Sequence, residues 1–196
     1  MKKLLAVLGF AMVVNAGAVA LASESTDALR NVNLAIAGLK LASVQPLDLI
    51  NWKVGDTASY TLDAGMLGTG TMVKTANKEE GDAIWVHQEI SIAGQQQTVD
   101  TLINRADGKI LKLIENGQDT AVPDTKITVV SQEYTSITVA AGTFKCMHIV
   151  ATSDQAKNLE VWADPKDTVL DGSLKEIVDT GMITMTLELQ SFAHGS

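Results

Sequence analysis

The chain has 196 residues and a formal net charge of −8, with 15 Lys and Arg against 23 Asp and Glu. Nucleic-acid binding depends on clustered Lys and Arg that displace counterions from phosphates, and the only arginines here are Arg30 and Arg105, so this composition argues against a nucleic-acid partner. The same charge disfavours anionic membrane surfaces. A single cysteine excludes an internal disulfide framework, and stability must therefore come from a hydrophobic core.

The amino terminus has the pattern of a secretory signal peptide. Two lysines at positions 2 and 3 precede an apolar run from Leu4 to Val14, and small residues with the pattern Ala-x-Ala follow it. The run is shorter than the roughly 20 residues of a membrane span. Cleavage is expected after Ala20 or, preferably, after Ala22, which makes residues 1–22 the signal peptide. No cysteine stands at either point to carry a lipid anchor, so we expect a soluble, exported mature chain from Ser23 that does not span a membrane.

The segment from residue 23 to residue 45 differs from the rest of the mature chain. Leu29, Val32, Ile36 and Val44 recur near helical period behind possible caps at Ser25 or Thr26, which predicts a helix. Val32, Leu34 and Ile36 also alternate, so a strand remains open as the alternative. Pro46 ends the segment.

From Trp52 onward the apolar period changes to two. The stretches "TASYTLD", "DAIWVHQEISI" and "MITMTLELQSF" alternate apolar and polar residues, which is typical of half-buried antiparallel strands. The apolar sets of the last two are expected to share one concave face. Those sets are Ile84, Val86, Ile90 and Ile92, and Ile183, Met185, Leu187 and Leu189.

Turn sequences separate these stretches at hairpin spacing: "AGQ" at 93–95, "ADGK" at 106–109, "NG" at 116–117 and "AGT" at 141–143. They predict about nine to eleven strands in one meander, and no long helical pattern follows Val44. We therefore predict one mainly β domain over residues 23–196. Its antiparallel meander (52–192) forms a curved sheet, half-barrel or barrel, and the helix of residues 23–45 packs against it.

The stretch "AGTFKCMHI" holds the only cysteine and one of three histidines. Phe144, Cys146, His148 and Val150 share one strand face, with Lys145 on the other, so Cys146 is expected to be a buried small hydrophobe. One alternative is a Cys–His nucleophile pair, which would need an orienting Asn or Asp and an oxyanion hole that nothing local provides. A metal site with His87 as a third ligand is the other alternative, and it lacks a fourth ligand.

Two further sites have both a structural and a functional interpretation. Trp85, His87 and Glu89 lie on the polar face of one strand, where they could line a ligand mouth, although a tryptophan that covers a neighbouring loop is the simpler expectation. The glycine-rich "AGMLGTG" at 64–70 is followed by no helix that could present its amino terminus to a phosphate. It is expected to be a hairpin loop.

Several motifs in order resemble a class of uncharacterised bacterial periplasmic proteins: "NWKVGDTASYTL", "ITVAAGTFKCMHI", "LEVWADP", "DGSLKEIV" and a last strand ending in "ELQSF". These proteins are similar in architecture to LolA and LolB, whose curved half-barrel cups an apolar cavity. The resemblance spans Trp52 to Phe192 and implies a half-barrel and a periplasmic location. The sequence departs from the class at "DPKDTVLDG", where Pro165 is displaced.

These observations favour a non-enzymatic cell-envelope protein, since no catalytic constellation emerges and no cofactor or metal is implied. One hypothesis is a binding module that holds an acyl chain, lipid or lipidated peptide in the hollow, against the eight concave residues, with Leu29 to Val44 as a lid. The alternative is an interaction or structural module with a filled core, whose exposed edges or loops meet an envelope protein.

Overall fold

The structure is a computed structural model that describes residues 52–106, 108–122, 126–154 and 156–196. The predicted signal peptide and the predicted helix or lid of residues 23–45 lie outside the described residues. The described chain forms eleven strands and one short 3-10 turn, Gly65–Leu67, between the first two. The strands are β1 Thr57–Asp63, β2 Thr69–Glu80, β3 Ala83–Ile92, β4 Gln95–Asn104, β5 Ile110–Glu115, β6 Gln118–Thr120, β7 Ile127–Val139, β8 Gly142–Ser153, β9 Asn158–Ala163, β10 Ser173–Asp179 and β11 Thr184–Ala193.

All eleven strands belong to one antiparallel sheet, in the order β6-β5-β4-β3-β2-β1-β11-β10-β9-β8-β7. The predicted β class, antiparallel pairing and strand number are confirmed. The predicted single meander needs correction, because the sheet consists of two meanders, β1 to β6 and β7 to β11, that meet where β1 pairs with β11. Consecutive strands β6 and β7 lie at opposite edges, so the sheet is open and not closed into a barrel.

The short connection between the two edges requires the sheet to curve. Ten strand spacings would separate β6 from β7 by about 48 Å in a flat sheet. The chain covers that distance in seven residue steps, from Thr120 to Ile127, and seven steps reach at most about 25 Å. The sheet must therefore curl until its edges approach each other.

The tip of the β7–β8 hairpin shows the same curvature. The amide of Ala141 donates to the carbonyl of Leu189 on β11 at 3.4 Å, and the rings of Phe144 and Phe192 are 6.3 Å apart. In a flat sheet, β8 and β11 would be separated by three spacings, or about 14 Å. The hairpin tip thus bends over β9 and β10 to reach β11.

The core lies on the concave face. Tyr60 pairs with Met72 across the β1–β2 ladder, and Leu62 pairs with Leu187 across the β1–β11 ladder. All four are 2% exposed or less. Because each large apolar side chain contributes about 1.5–3 kcal/mol when it is fully buried, these central strands supply much of the stability.

Tight turns fix the register of two hairpins. Asn116 and Gly117 between β5 and β6 both have positive φ, 47° and 79°, as do Ala93 and Gly94 between β3 and β4, at 51° and 77°. Two positive values are the signature of a type I′ turn, whose twist matches that of the flanking strands. Both turns had been predicted from sequence. Among the described residues, no helix is long and apolar enough to cross a membrane.

Candidate functional site

The eight residues predicted to line a ligand hollow all lie in one hydrophobic cluster. Seven of them are buried and Ile183 is partly buried against the others. The same cluster includes Tyr60, Met72, Leu159 and Leu174 from other strands of the sheet, and Val169 and Leu170 from the loop between β9 and β10. The alternation correctly predicted a shared inward face, and in the structure this face is packed as protein core.

An ionic group is buried within this core. Lys74 on β2 is 3% exposed, and its Nζ lies 3.1 Å from Asp171 Oδ2 and 3.6 Å from Glu176 Oε1. Ser173 donates a hydrogen bond from Oγ to Glu176 Oε1, and the Lys74 ammonium lies 5.0 Å from the centre of the Tyr60 ring. A buried charge requires such partners, because an unpaired one would cost several kcal/mol.

The electrostatics of this group keep Lys74 charged. Burial alone would lower the pKa of Lys74, but the charges of Asp171 and Glu176 outweigh burial and raise the pKa above its usual value. Burial raises the pKa of Tyr60, which the Lys74 charge only partly offsets. The phenol is therefore neutral and the amine protonated at ordinary pH, so neither group is set up as a base.

The buried ion pair holds the β9–β10 loop, residues 164–172, against the sheet. Thr168, Val169 and Leu170 in this loop are buried, although Leu170 has a positive φ of 54°, which is unfavourable for a branched side chain. A Cβ on Gly172 would lie 2.3 Å from the backbone nitrogen of Pro165. The loop thus folds tightly on itself, and the Asp171 contact with Lys74 fixes it over the core.

Cys146 is 2% exposed and belongs to the core, as predicted. Burial raises the pKa of its thiol, and the charge of Asp164 adds to that effect. The face of β8 that is buried changes along the strand. Cys146 is buried in the first half, whereas Ile149 and Ala151, which alternation would place on the other face, are buried in the second half. His148 therefore sits in a different environment from Cys146, and the two do not form a reactive pair.

His148 lies on the convex face between two carboxylates. Its Nδ1 is 3.5 Å from Glu133 Oε1 on β7, and its Nε2 is 3.3 Å from Glu160 Oε2 on β9. The imidazole stacks on Trp162 with ring centres 4.2 Å apart and planes 7° apart. Lys175 Nζ lies 6.0 Å from the centre of the Trp162 ring. This arrangement holds the His148 ring flat on the sheet behind the β7 edge.

The predicted polar face of β3 is a second convex cluster. Trp85 is only 7% exposed, packs with Ala83, Leu102 and Ile114, and donates from Nε1 to Glu80 Oε2 at 2.8 Å. These contacts pack the indole against β2 to β5, so packing on the strands takes the place of the expected cover over a neighbouring loop.

His87 lies next to this cluster. Its Nδ1 is 2.7 Å from Asp100 Oδ1 and its Nε2 is 3.3 Å from Glu89 Oε1. Burial works to lower the pKa of His87, but the hydrogen bond and charge of Asp100, together with Glu89, raise it overall. Within the described ranges, no three His, Cys, Asp or Glu side chains are grouped so that they could hold a metal ion, and His87 is not brought to Cys146 and His148.

The most exposed strand is β7, at one edge of the sheet. Seven consecutive residues, Thr128–Tyr134, are exposed. Eight large apolar side chains in the described chain are exposed, and three of them fall in this stretch: Val129 at 40%, Val130 at 64% and Tyr134 at 86%. β8 is the strand that pairs with β7, and Val130 is bulged out of that pairing. Further along the strand, Val139 returns to the core.

This edge was missed by the sequence analysis, although a signal was present. The run "ITVVSQEYTSITV" is rich in β-branched residues, contains one charge, Glu133, and has no proline or lysine. Edge strands are usually protected by proline and by charged residues such as lysine. Which strand lies at an edge depends on the sheet order, and local alternation does not contain that order.

No family model and no curated protein matches this chain. Among solved structures, it is similar to the hypothetical protein CT021 from Chlamydia trachomatis, with a TM-score of 0.49 and 11% identity over 77% of this chain and 93% of that one. It is also similar to a structure of the Pseudomonas aeruginosa MucA/MucB complex, with a TM-score of 0.44 and 15% identity over 82% of this chain and 57% of that one.

A third structure, MucB in complex with MucA(peri), gives a TM-score of 0.42 and 15% identity, over 82% of this chain and 56% of that one. This chain thus spans little more than half the length of the matched chain in each of the two MucA/MucB structures. At these identities and TM-scores, the similarities carry no conclusion about what this chain binds.

Proposed function

We propose that this chain is an exported, non-enzymatic cell-envelope protein that binds an extended segment of another polypeptide along the outer edge of β7. The exposure of Thr128–Tyr134 on an edge strand is the observation that carries the proposal. Export is expected from the pattern of residues 1–22, and a periplasmic location from the resemblance to the LolA and LolB architecture.

Strand addition uses the backbone groups that an edge leaves open. A peptide that pairs with β7 would gain main-chain hydrogen bonds, and alternate side chains of the peptide would meet each face of the sheet. A long edge with exposed apolar residues and little charge is an aggregation hazard unless a partner covers it. Val130 and Tyr134 are exposed in the part of the chain that the structure describes, and a bound strand would cover them.

The opposite edge does not have these properties. β6 has only three residues, Gln118–Thr120, and Asp119 on it pairs with Lys112 at 3.1 Å. A short, charged edge is a common protection against pairing with other chains. The two edges thus differ, and β7 is the one suited to binding.

The non-enzymatic part of the proposal rests on the state of the titratable groups. Lys74 and Tyr60 are buried in the core with pKa values shifted away from neutrality. The thiol of Cys146 is buried and its pKa is raised, which opposes the thiolate that a nucleophile needs. Each group is accounted for by packing or ion pairing.

Binding of an acyl chain is the second candidate function. The clustering of all eight predicted residues on one apolar face favours it, and the predicted lid, Leu29 to Val44, would compete with the ligand. A truncation that begins near Gln45 tests it. If the segment covers a hollow, the truncated protein will bind hydrophobic dyes and a fluorescent fatty acid more strongly. Unchanged binding by a folded truncated protein would contradict acyl binding and support a core filled by the protein's own side chains.

Site-specific photo-crosslinking tests the proposed polypeptide binding. p-Benzoylphenylalanine is placed at Val130 or at Tyr134, and the control position is Met66, which is 96% exposed on the turn between β1 and β2. In cells, we expect a discrete crosslinked polypeptide from the two β7 positions only. The polypeptide identified by crosslinking is then purified and added to the protein, where it must slow amide exchange in Thr128–Tyr134. Equal products from Met66, or a product of twice the chain's own mass, would contradict the proposal.

A further inference from the structure

We propose that the polypeptide bound by β7 alternates in chemistry, with basic side chains on its convex face and apolar side chains on its concave face. This inference rests on the proposed function, because it names the class of partner that the same edge accepts. Three observations support this inference. They are the register of β7 on β8, the apolar surface on one side of β7 and the carboxylates on the other side.

The register assigns each exposed β7 residue to a face. Directly paired residues of neighbouring strands point to the same side of the sheet. Tyr134 pairs with Met147, which pairs in turn with the core residue Ala163 on β9, and Val129 pairs with the core residue Ala151. Glu133 pairs with His148 on the convex face. Tyr134 and Val129 are therefore concave, and Glu133 is convex.

On the concave side, the apolar core extends outward to β7, where it is left exposed. Ile149 and Ala151 on β8 are buried, whereas Tyr134 is 86% exposed and Val129 is 40% exposed on the next strand outward. Apolar side chains on an added strand would cover both and extend the core by one row. The gain is the removal of this apolar surface from water.

The convex side of the edge carries an exposed carboxylate on β7 itself. The side chain of Glu133 is 71% exposed, and that of Glu160 two strands inward is 28% exposed, with His148 between them. Stacking on Trp162 holds the imidazole in place. A lysine or arginine opposite Glu133 would form a favourable cross-strand pair, and the chain's net charge of −8 would attract a basic segment.

Charge also distinguishes this partner from a second copy of the chain. β7 contains no lysine or arginine between Ile127 and Val139, and Lys126 precedes the strand, so a second β7 that pairs along Thr128–Tyr134 brings no cation opposite Glu133. In the antiparallel register that places Glu133 against itself, two carboxylates would face each other. Two copies also carry the same negative net charge. A different, basic polypeptide satisfies both faces of the edge.

The test uses synthetic nonapeptides and the full mature chain. Three peptides alternate leucine with lysine, threonine or glutamate, and a fourth has the composition of the leucine–lysine peptide in scrambled order. Binding is measured by titration, and its position by amide exchange. We expect the leucine–lysine peptide to protect Thr128–Tyr134 and to bind about threefold more tightly than the leucine–threonine peptide, as one direct cross-strand charge pair with Glu133 would give. The leucine–glutamate peptide should bind most weakly.

Substitution of one charge locates the effect. Glu133→Gln should reduce the preference for lysine over threonine, whereas Asp119→Asn on β6, whose side chain is 72% exposed, should leave it unchanged. Equal affinity for the three alternating peptides, with β7 protected, would overturn the basic-partner inference and leave the proposed function standing. Equal binding by the scrambled peptide would also overturn it. No protection of β7 by any peptide would count against strand addition itself.

Discussion

Lys74 Nζ lies 3.1 Å from Asp171 Oδ2, and this contact joins the centre of the sheet to the loop between β9 and β10. Removing the ammonium would take the Lys74 cation away from Asp171 and Glu176 in the core. We therefore expect Lys74→Met to lower the free energy of unfolding by about 3–5 kcal/mol, the usual cost of breaking a buried pair from one side. Urea unfolding followed by tryptophan fluorescence measures it.

Lys112 provides the matched control, because it pairs with Asp119 at the same distance of 3.1 Å but is 46% exposed. Lys112→Met should change the free energy of unfolding by at most about 1 kcal/mol, as is typical of exposed ion pairs. If the two substitutions have equal effects, the Lys74 contact does not hold the loop against the core.

Cys146 should resist thiol reagents in the folded protein. Its burial excludes the reagent, and its raised pKa lowers the thiolate fraction. Cys146→Ala is expected to cost on the order of 1 kcal/mol, because it opens only a small cavity. The measurement is the rate of reaction with a chromogenic disulfide as denaturant is added. Rapid modification of the folded protein would contradict this and support the alternative that Cys146 is a reactive thiol.

His87 should make stability depend on pH. Its folded pKa is raised above the unfolded value of 6.5, so its contribution is fully present below pH 6.5 and is lost as pH rises through the folded pKa. The wild type should therefore lose stability relative to His87→Gln as pH increases above 6.5. Urea midpoints of the two proteins between pH 5.5 and pH 8.5 test this, and a constant difference would show that Asp100 and Glu89 do not favour the charged imidazole.

The concave residues should behave as core. Leu187 is fully buried, and Leu187→Ala is expected to cost about 2–5 kcal/mol through lost burial and the cavity left behind. Leu111→Ala, at a side chain that is 53% exposed, is the control and should have a small effect. A negligible cost at Leu187 would indicate a loosely filled face, which would favour the acyl-binding function.

The sequence predicted local features of the sheet better than its connectivity. "TASYTLD" is β1 residue for residue, and the inward set around Leu187 is buried, because alternation and burial are both local consequences of one solvated face. The pairing of β1 with β11 joins residues such as Leu62 and Leu187 that are distant in sequence, and no local pattern encodes it.

Two buried features also escaped the sequence analysis. Lys74 stands among alternating residues of β2, where a lysine indicates the solvent side, but ion pairs from the distant residues Asp171 and Glu176 allow its burial. The change of buried side within β8, between Cys146 and Ile149, follows from the bend of the hairpin tip toward β11. Both depend on contacts that form only when the sheet curls.

The central claim is that β7 pairs with an added strand, and residue-resolved amide exchange of the mature chain, alone and with the crosslinked polypeptide, tests it most directly. Alone, alternate amides of Thr128–Tyr134 should exchange rapidly, since the amides of an edge strand point alternately to its neighbour and to solvent. With the polypeptide, these amides should become protected while β8 stays unchanged. Protection already present in the chain alone, or no new protection in the complex, would contradict the account.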